Sequence, residues 1–249
     1  MGNRKFKQLP EEDKQELEQF FERTNIQESA LFELINLHIK CKTENQKKLI
    51  NSIKQNEITI CSGLPGTGKT YLSCAQALKL LKSKNPKKYK RIVLIKSVTT
   101  LKNEEIGFLK GTMEEKMEPF IDSFMDNFRK LIGKSRSKKL KELGFIEVLP
   151  IAFARGRSID NSIIIIDEAQ NISMDNIRTL MTRIGNDSKM IILGDVKQKD
   201  IRNKNDSALE VVIDKFNGID GFGCVKLRDP KDVVRNPIIQ IIEQTFDNL

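Results

Sequence analysis

The chain has 249 residues, 39% of them hydrophobic and 31% charged, which is enough for one α/β domain with an ordinary core and too little for two full nucleotide-binding lobes. Lysine and arginine number 43 against 34 acids, a net charge of +9 that admits a polyanionic partner but does not by itself identify one. No apolar run approaches a bilayer span and the first residues are polar rather than signal-like, so a membrane location is excluded and a cytoplasmic one expected.

Residues 10–22 open with Pro10, Glu11, Glu12 and Asp13, and the proline with following acids predicts a helix start. A second helical pattern covers about 28–40, with His38 expected to be partly buried inside it. A third runs from Thr43 to Gln55, with Thr43 as N-cap and Gln46 at capping-box spacing. Apolar strand-like runs then recur at 57–61, 91–95, 145–149, 163–166, 190–193 and 224–227. Several are continuous rather than alternating, as in parallel strands covered on both faces. Helical patterns at 70–82, 114–131, 174–184 and 207–216 separate them, so the fold expected is α/β with a mainly parallel sheet flanked by helices.

The first strand leads into Gly63-Leu64-Pro65-Gly66-Thr67-Gly68-Lys69-Thr70, a complete G-x-x-x-x-G-K-[ST] loop followed by Tyr71. Its backbone N–H groups wrap nucleotide phosphates, and glycine lets the main chain approach where a Cβ would clash. Lys69 is expected to neutralise the outer phosphates, Thr70 to ligate Mg²⁺, and the helix beginning there to turn its positive end toward the anion. ATP or GTP is the expected ligand.

Ligands of such sheets bind beyond the C-terminal strand ends. The run 163–166 ends in Asp167-Glu168-Ala169-Gln170, where Asp167 suits the Mg²⁺ shell opposite Thr70 and Glu168 suits activation of the attacking water. The run 190–193 ends in Gly194-Asp195-Val196-Lys197-Gln198; Gln198 either senses the γ-phosphate or belongs to an ordinary polar turn. The cysteines Cys41, Cys61, Cys74 and Cys224 are scattered without a C-x-x-C pair, so they are expected to be small packing groups rather than zinc ligands.

Together the 63–70 loop, the 167–170 acidic box, the 194–198 turn and Gln46 resemble superfamily-one helicase cores. Gly107-Phe108-Leu109, Ala154-Arg155-Gly156-Arg157, Leu180 to Gly185 and Asp232-Val233-Val234-Arg235-Asn236-Pro237 look more closely like the PhoH family of P-loop ATPases, over about 43–246. Ile95-Lys96-Ser97 departs from the Thr-Arg-Pro that PhoH proteins usually carry after the second strand. The resemblance implies a RecA-like P-loop NTPase core over 43–249, behind an N-terminal helical segment at 1–42. It also implies ATP over GTP, with Gln46 reading the adenine edge; the capping box is the competing role for that side chain.

Two functions remain open on the sequence alone. One is an ATPase coupled to RNA or single-stranded DNA, with Arg129, Lys130, Lys134, Arg136, Lys138, Lys139, Lys141, Arg155 and Arg157 as phosphate contacts; a solvated basic face explains the same run. The other is a nucleotide-gated assembly or scaffold protein without motor activity. One lobe lacks the arginines that a second lobe supplies in helicases, so Arg235 or Arg183 is expected to complete the site, from this chain or from a neighbour. The resemblance points to a homo-oligomeric ring, a hexamer.

Overall fold

The computed structural model describes residues 31–32, 35–83, 89–96, 113–154, 156–195 and 208–236, with 238, 241, 242 and 245 beyond them. The expected helix at 10–22 lies outside these residues. Two compact units divide between Leu37 and His38. Where a helix was expected over 28–40, residues 31–32 are helical but 35–40 are not. Burial there falls on Ile35, Leu37 and Ile39 and spares Asn36, His38 and Lys40. That is a period of two, the pattern of extended chain, and it leaves His38 exposed rather than partly buried.

The larger unit begins its regular structure with helix α1 (Glu44–Gln55), strand β1 (Ile58–Gly63) and helix α2 (Lys69–Lys82). Strand β2 (Arg91–Lys96), helices α3 (Met113–Ile132) and α4 (Lys134–Glu142) and strand β3 (Ile146–Val148) follow. Then come a short helix α5 (Ile151–Ala154), strand β4 (Ser162–Asp167), helix α6 (Met174–Met181), strand β5 (Lys189–Gly194), helix α7 (Ala208–Phe216) and strand β6 (Phe222–Leu227). The strands form one 6-stranded sheet in the order β3-β2-β4-β5-β1-β6, and every pairing is parallel. This is an α/β architecture, a parallel sheet flanked by helices. The basic run expected to contact phosphates contains the separate helix α4, and α6 stops at Met181, beyond which Ile184 bridges to Ile159 in extended pairing.

Both faces of the sheet are covered, which is why the central strands are continuously apolar. Ile58 and Ile60, Ile164 and Ile166, and Met190 and Ile192 share one cluster with Ile177 and Leu180 of α6 and Val212 and Ile213 of α7. The alternate residues face the other way, where Ser52 Oγ of α1 lies 3.1 Å from Thr59 Oγ1 of β1. Ile163, Ile164, Ile165 and Ile166 are all at 0% exposure, and each such side chain contributes about 1.5–3 kcal/mol of burial. A rigid sheet therefore holds the C-terminal strand ends, and the loops beyond them, in fixed register.

Candidate functional site

The phosphate-loop geometry begins with the sheet. Gly63 ends β1 against β6, and a Cβ there would lie 2.8 Å from both Cβ and O of Leu227. Beyond it Gly66 (φ 75) and Gly68 (φ 81) adopt left-handed conformations that any other residue would strain. Buried Thr67 closes the loop by donating from Oγ1 to Leu64 O at 2.8 Å. Lys69 Nζ donates to Gly63 O (2.5 Å) and Leu64 O (3.0 Å), so the ammonium lies over the loop. No side chain caps α2, whose first-turn N–H groups are left to a ligand.

The acids come from β4, separated from β1 by β5 alone. Thr70 Oγ1 donates to Asp167 Oδ2 at 3.0 Å, bringing together the two side chains expected at the metal. Asp167 Oδ1 accepts from Glu168 N at 3.0 Å. Glu168 itself has left-handed backbone angles, φ 56 and ψ 38, an uncommon conformation for a residue with a Cβ and one that gathers at functional sites. Its Oε2 accepts from Gln170 Nε2 at 2.7 Å, while Gln170 Oε1 accepts from Asp195 N at 2.9 Å. Hard oxygens on Thr70 and Asp167 suit Mg²⁺, which takes one or two protein ligands and keeps water for the rest.

A second wall closes the loop from the other side. Thr43 Oγ1 accepts from Gln46 N (3.2 Å), but the Gln46 side chain does not complete a capping box. Its Oε1 accepts from Lys42 N at 2.6 Å and its Nε2 donates to Thr67 O at 2.9 Å, tying α1 to the phosphate loop. Each amide group keeps one further valence, a second N–H and a second lone pair. Asp232, 2% exposed, accepts from Thr43 Oγ1 and Asn45 Nδ2, both at 2.8 Å, and Val234 N donates to Gly66 O at 3.1 Å. A cavity of about 520 Å³ lies between these walls, with Gln46, Lys69, Thr70, Asp167, Glu168 and Arg235 among its lining residues.

Over residues 38–247 the sequence matches the family described as PhoH-like protein. The chain belongs to the PhoH-like family. A PhoH-like protein of Bacillus subtilis (strain 168) is 37% identical over 209 residues, 84% of this chain and 64% of that protein. One from Synechocystis sp. is 32% identical over 234 residues, 94% of this chain and 69% of that protein. Among solved structures, Bacteroides sp Pif1 in complex with ADP-AlF4 aligns with 80% of this chain and 44% of its own, at 16% identity and a TM-score of 0.34.

The remaining expected residues of this PhoH-like chain divide by position. Leu64 and Pro65 lie within the loop, the 40%-exposed Tyr71 follows it, and Arg235 lines the cavity. Arg183 does not: its carbonyl accepts from Ile159 N at the N-terminal edge of the sheet, one β5 length from Gly194. The five rises of ~3.3 Å between its six residues make that roughly 17 Å. Arg129 is paired with Asp122 (2.6 Å) and Asp126 (2.8 Å), and Lys130 lines the cavity beside the glycine loop, which sets both apart from the cations of α4. Lys134, Arg136, Lys138 and Lys139 are exposed on α4, and Arg157 is exposed on the loop before β4. Gln198 and Arg155 lie outside the described residues.

Burial pushes the Cys61 thiol up to about 12 and raises that of Cys74 as well, so both stay neutral packing groups. The sequence offered no signal for Asp232 as a clasp on α1. A motif reading could have found Gln170, which stands inside the acidic box, but not its partner, the backbone N of Asp195 just beyond β5.

Proposed function

We propose that this PhoH-like chain is an ATP-binding, Mg²⁺-dependent ATPase whose turnover is coupled to RNA or single-stranded DNA. The observation that carries the reading is the Thr70 to Asp167 contact at the mouth of the glycine loop, with Glu168 next in the chain. Loop N–H groups and Lys69 bind the phosphates, and the amide of Gln46 has the valences left to read an adenine edge. Held by Thr70 and Asp167, Mg²⁺ supplies charge neutralisation for the phosphate oxygens. Glu168 orients a water toward the γ-phosphorus and takes its proton as the new P–O bond forms and ADP departs. Arg235, lining the same cavity, stabilises the charge that develops on the transferred phosphoryl group.

Two further parts belong to the same reading. Four exposed cations on α4 offer sequence-independent phosphate contacts to a single strand. Arg183, at the other end of the sheet and roughly 17 Å from its own loop by strand length, would act in the site of a neighbouring subunit, and head-to-tail contacts of that kind close into a ring such as a hexamer. The test is phosphate release from ATP with Mg²⁺, with chelator, and with added single-stranded RNA or DNA. Release that needs Mg²⁺, rises with polynucleotide and disappears in Lys69→Ala together with nucleotide affinity is expected. Release indifferent to polynucleotide would favour a nucleotide-gated scaffold, and release indifferent to Mg²⁺ would refute the site.

A further inference from the structure

Glu168 sits on a long, rotatable side chain, yet a general base works only when its carboxylate is held within a fraction of an ångström of its task. Its left-handed backbone sets the direction of departure; something else must fix the far end. Gln170 has the geometry for it. The side chain is 1% exposed, its Nε2 lies 2.7 Å from Glu168 Oε2, and its Oε1 lies 2.9 Å from the backbone N of Asp195 at the end of β5. The Asp195 amide can only donate, so it requires the glutamine oxygen, and that choice turns the NH₂ group onto the carboxylate. A glutamate at this position keeps the length and the acceptor but has no hydrogen to give, and an asparagine is one methylene short.

The neighbouring strand is built around this amide. Gly194 precedes Asp195, and a Cβ on it would fall 2.6 Å from Leu209 Cδ2 of α7, 2.7 Å from Gln170 Oε1 and 3.0 Å from Gln170 N. Glycine there leaves room both for Leu209 and for the glutamine side chain that spans from the end of β5 to the Glu168 carboxylate. The 3-10 turn Ala169–Asn171 brings Gln170 back toward Glu168, two residues earlier, with Asn171 N bonded to Glu168 O at 3.0 Å.

We infer that Gln170 is the positioning residue for Glu168, holding its carboxylate for proton transfer and making its placement depend on the end of β5. This rests on Glu168 as the base in the function proposed above. The consequence is a defect confined to the chemical step: Gln170 touches neither the phosphate loop nor the adenine-side wall through any of the bonds described.

The test is a double-mutant cycle read by single-turnover ATP hydrolysis and by nucleotide Kd, on full-length protein whose folding is checked by thermal unfolding. Gln170→Ala is expected to keep Kd within about 3-fold and to lower the hydrolysis rate about 10- to 100-fold, as for a base misplaced by an ångström. In a Glu168→Gln background the same change is expected to cost nothing further, because Gln170 acts only through the carboxylate already removed. Gln170→Glu, close to isosteric, should reproduce the rate loss and serves where the alanine variant unfolds. Wild-type rates in both Gln170 variants with an inactive Glu168→Gln protein would overturn this inference alone, as would an equal loss in both backgrounds. A fully active Glu168→Gln protein would overturn the base assignment and this inference with it.

Discussion

At the scale of single residues, chain separation decides what can be read in advance. Thr70 and Asp167 are 97 positions apart and meet at 3.0 Å, yet both are legible because each stands in a motif whose chemistry is local. A glycine loop needs left-handed angles, and an acid at the end of an apolar strand needs a reason to be there. Asp232 has no such signature. Its carboxylate accepts from Thr43 and Asn45 across 189 and 187 positions, and only the folded sheet brings the two ends of the domain together. Buried hydrogen bonds to a charged group are worth about 1.5–3 kcal/mol, so Asp232→Ala should lower unfolding free energy by roughly that amount in urea titration. A loss below about 0.5 kcal/mol, the range of ordinary surface changes, would remove Asp232 from the clasp. Gln46 was legible as a residue of a helix start, but its side-chain bonds to Lys42 N and Thr67 O follow from the packing of α1 on the loop.

At the scale of elements, the strands and the long helices follow from periodicity, because continuous apolar runs have few alternatives in an α/β chain. The segment 28–40 misleads because Leu31, Phe32, Leu34, Ile35, Leu37 and Ile39 satisfy both a helical and an alternating template, and burial at 35–40 settles on the alternating one. Helix α4 was hidden within a charge run: only Ser137 and Leu140 of its residues are buried, too narrow a stripe to announce a helix. That same narrow stripe frees its cations. Replacing Lys134, Arg136, Lys138 and Lys139 together by alanine should weaken single-strand binding and make its salt dependence shallower by about 0.7 for each phosphate no longer neutralised, with ATP affinity unchanged. An unchanged slope in a salt titration would return α4 to a solvated face. Lys138 is already partly engaged with Glu142 at 3.7 Å, an exposed pair that costs little to break.

At the scale of the whole molecule, the parallel sheet sorts the arginines. All strands point the same way, so one edge gathers the phosphate loop, the acids and Arg235, and the other carries Arg183. Arg235 on its own site predicts that mixing Arg235→Ala with Lys69→Ala subunits recovers no ATPase activity. If Arg183 serves a neighbour, mixing Arg183→Ala with Lys69→Ala should recover part of it, because some interfaces pair an intact loop with an intact arginine. Recovery in the first mixture would move Arg235 to the trans role. On the function proposed above, the Asp167 and Glu168 edge of β4 hydrolyses what the glycine loop binds. ATP turnover of Glu168→Gln beside wild type, with nucleotide affinity measured on the same samples, tests it most directly. Affinity within about 3-fold and turnover lower by about 10²- to 10⁴-fold is the expected result for loss of a general base. Equal turnover by the two proteins would contradict it.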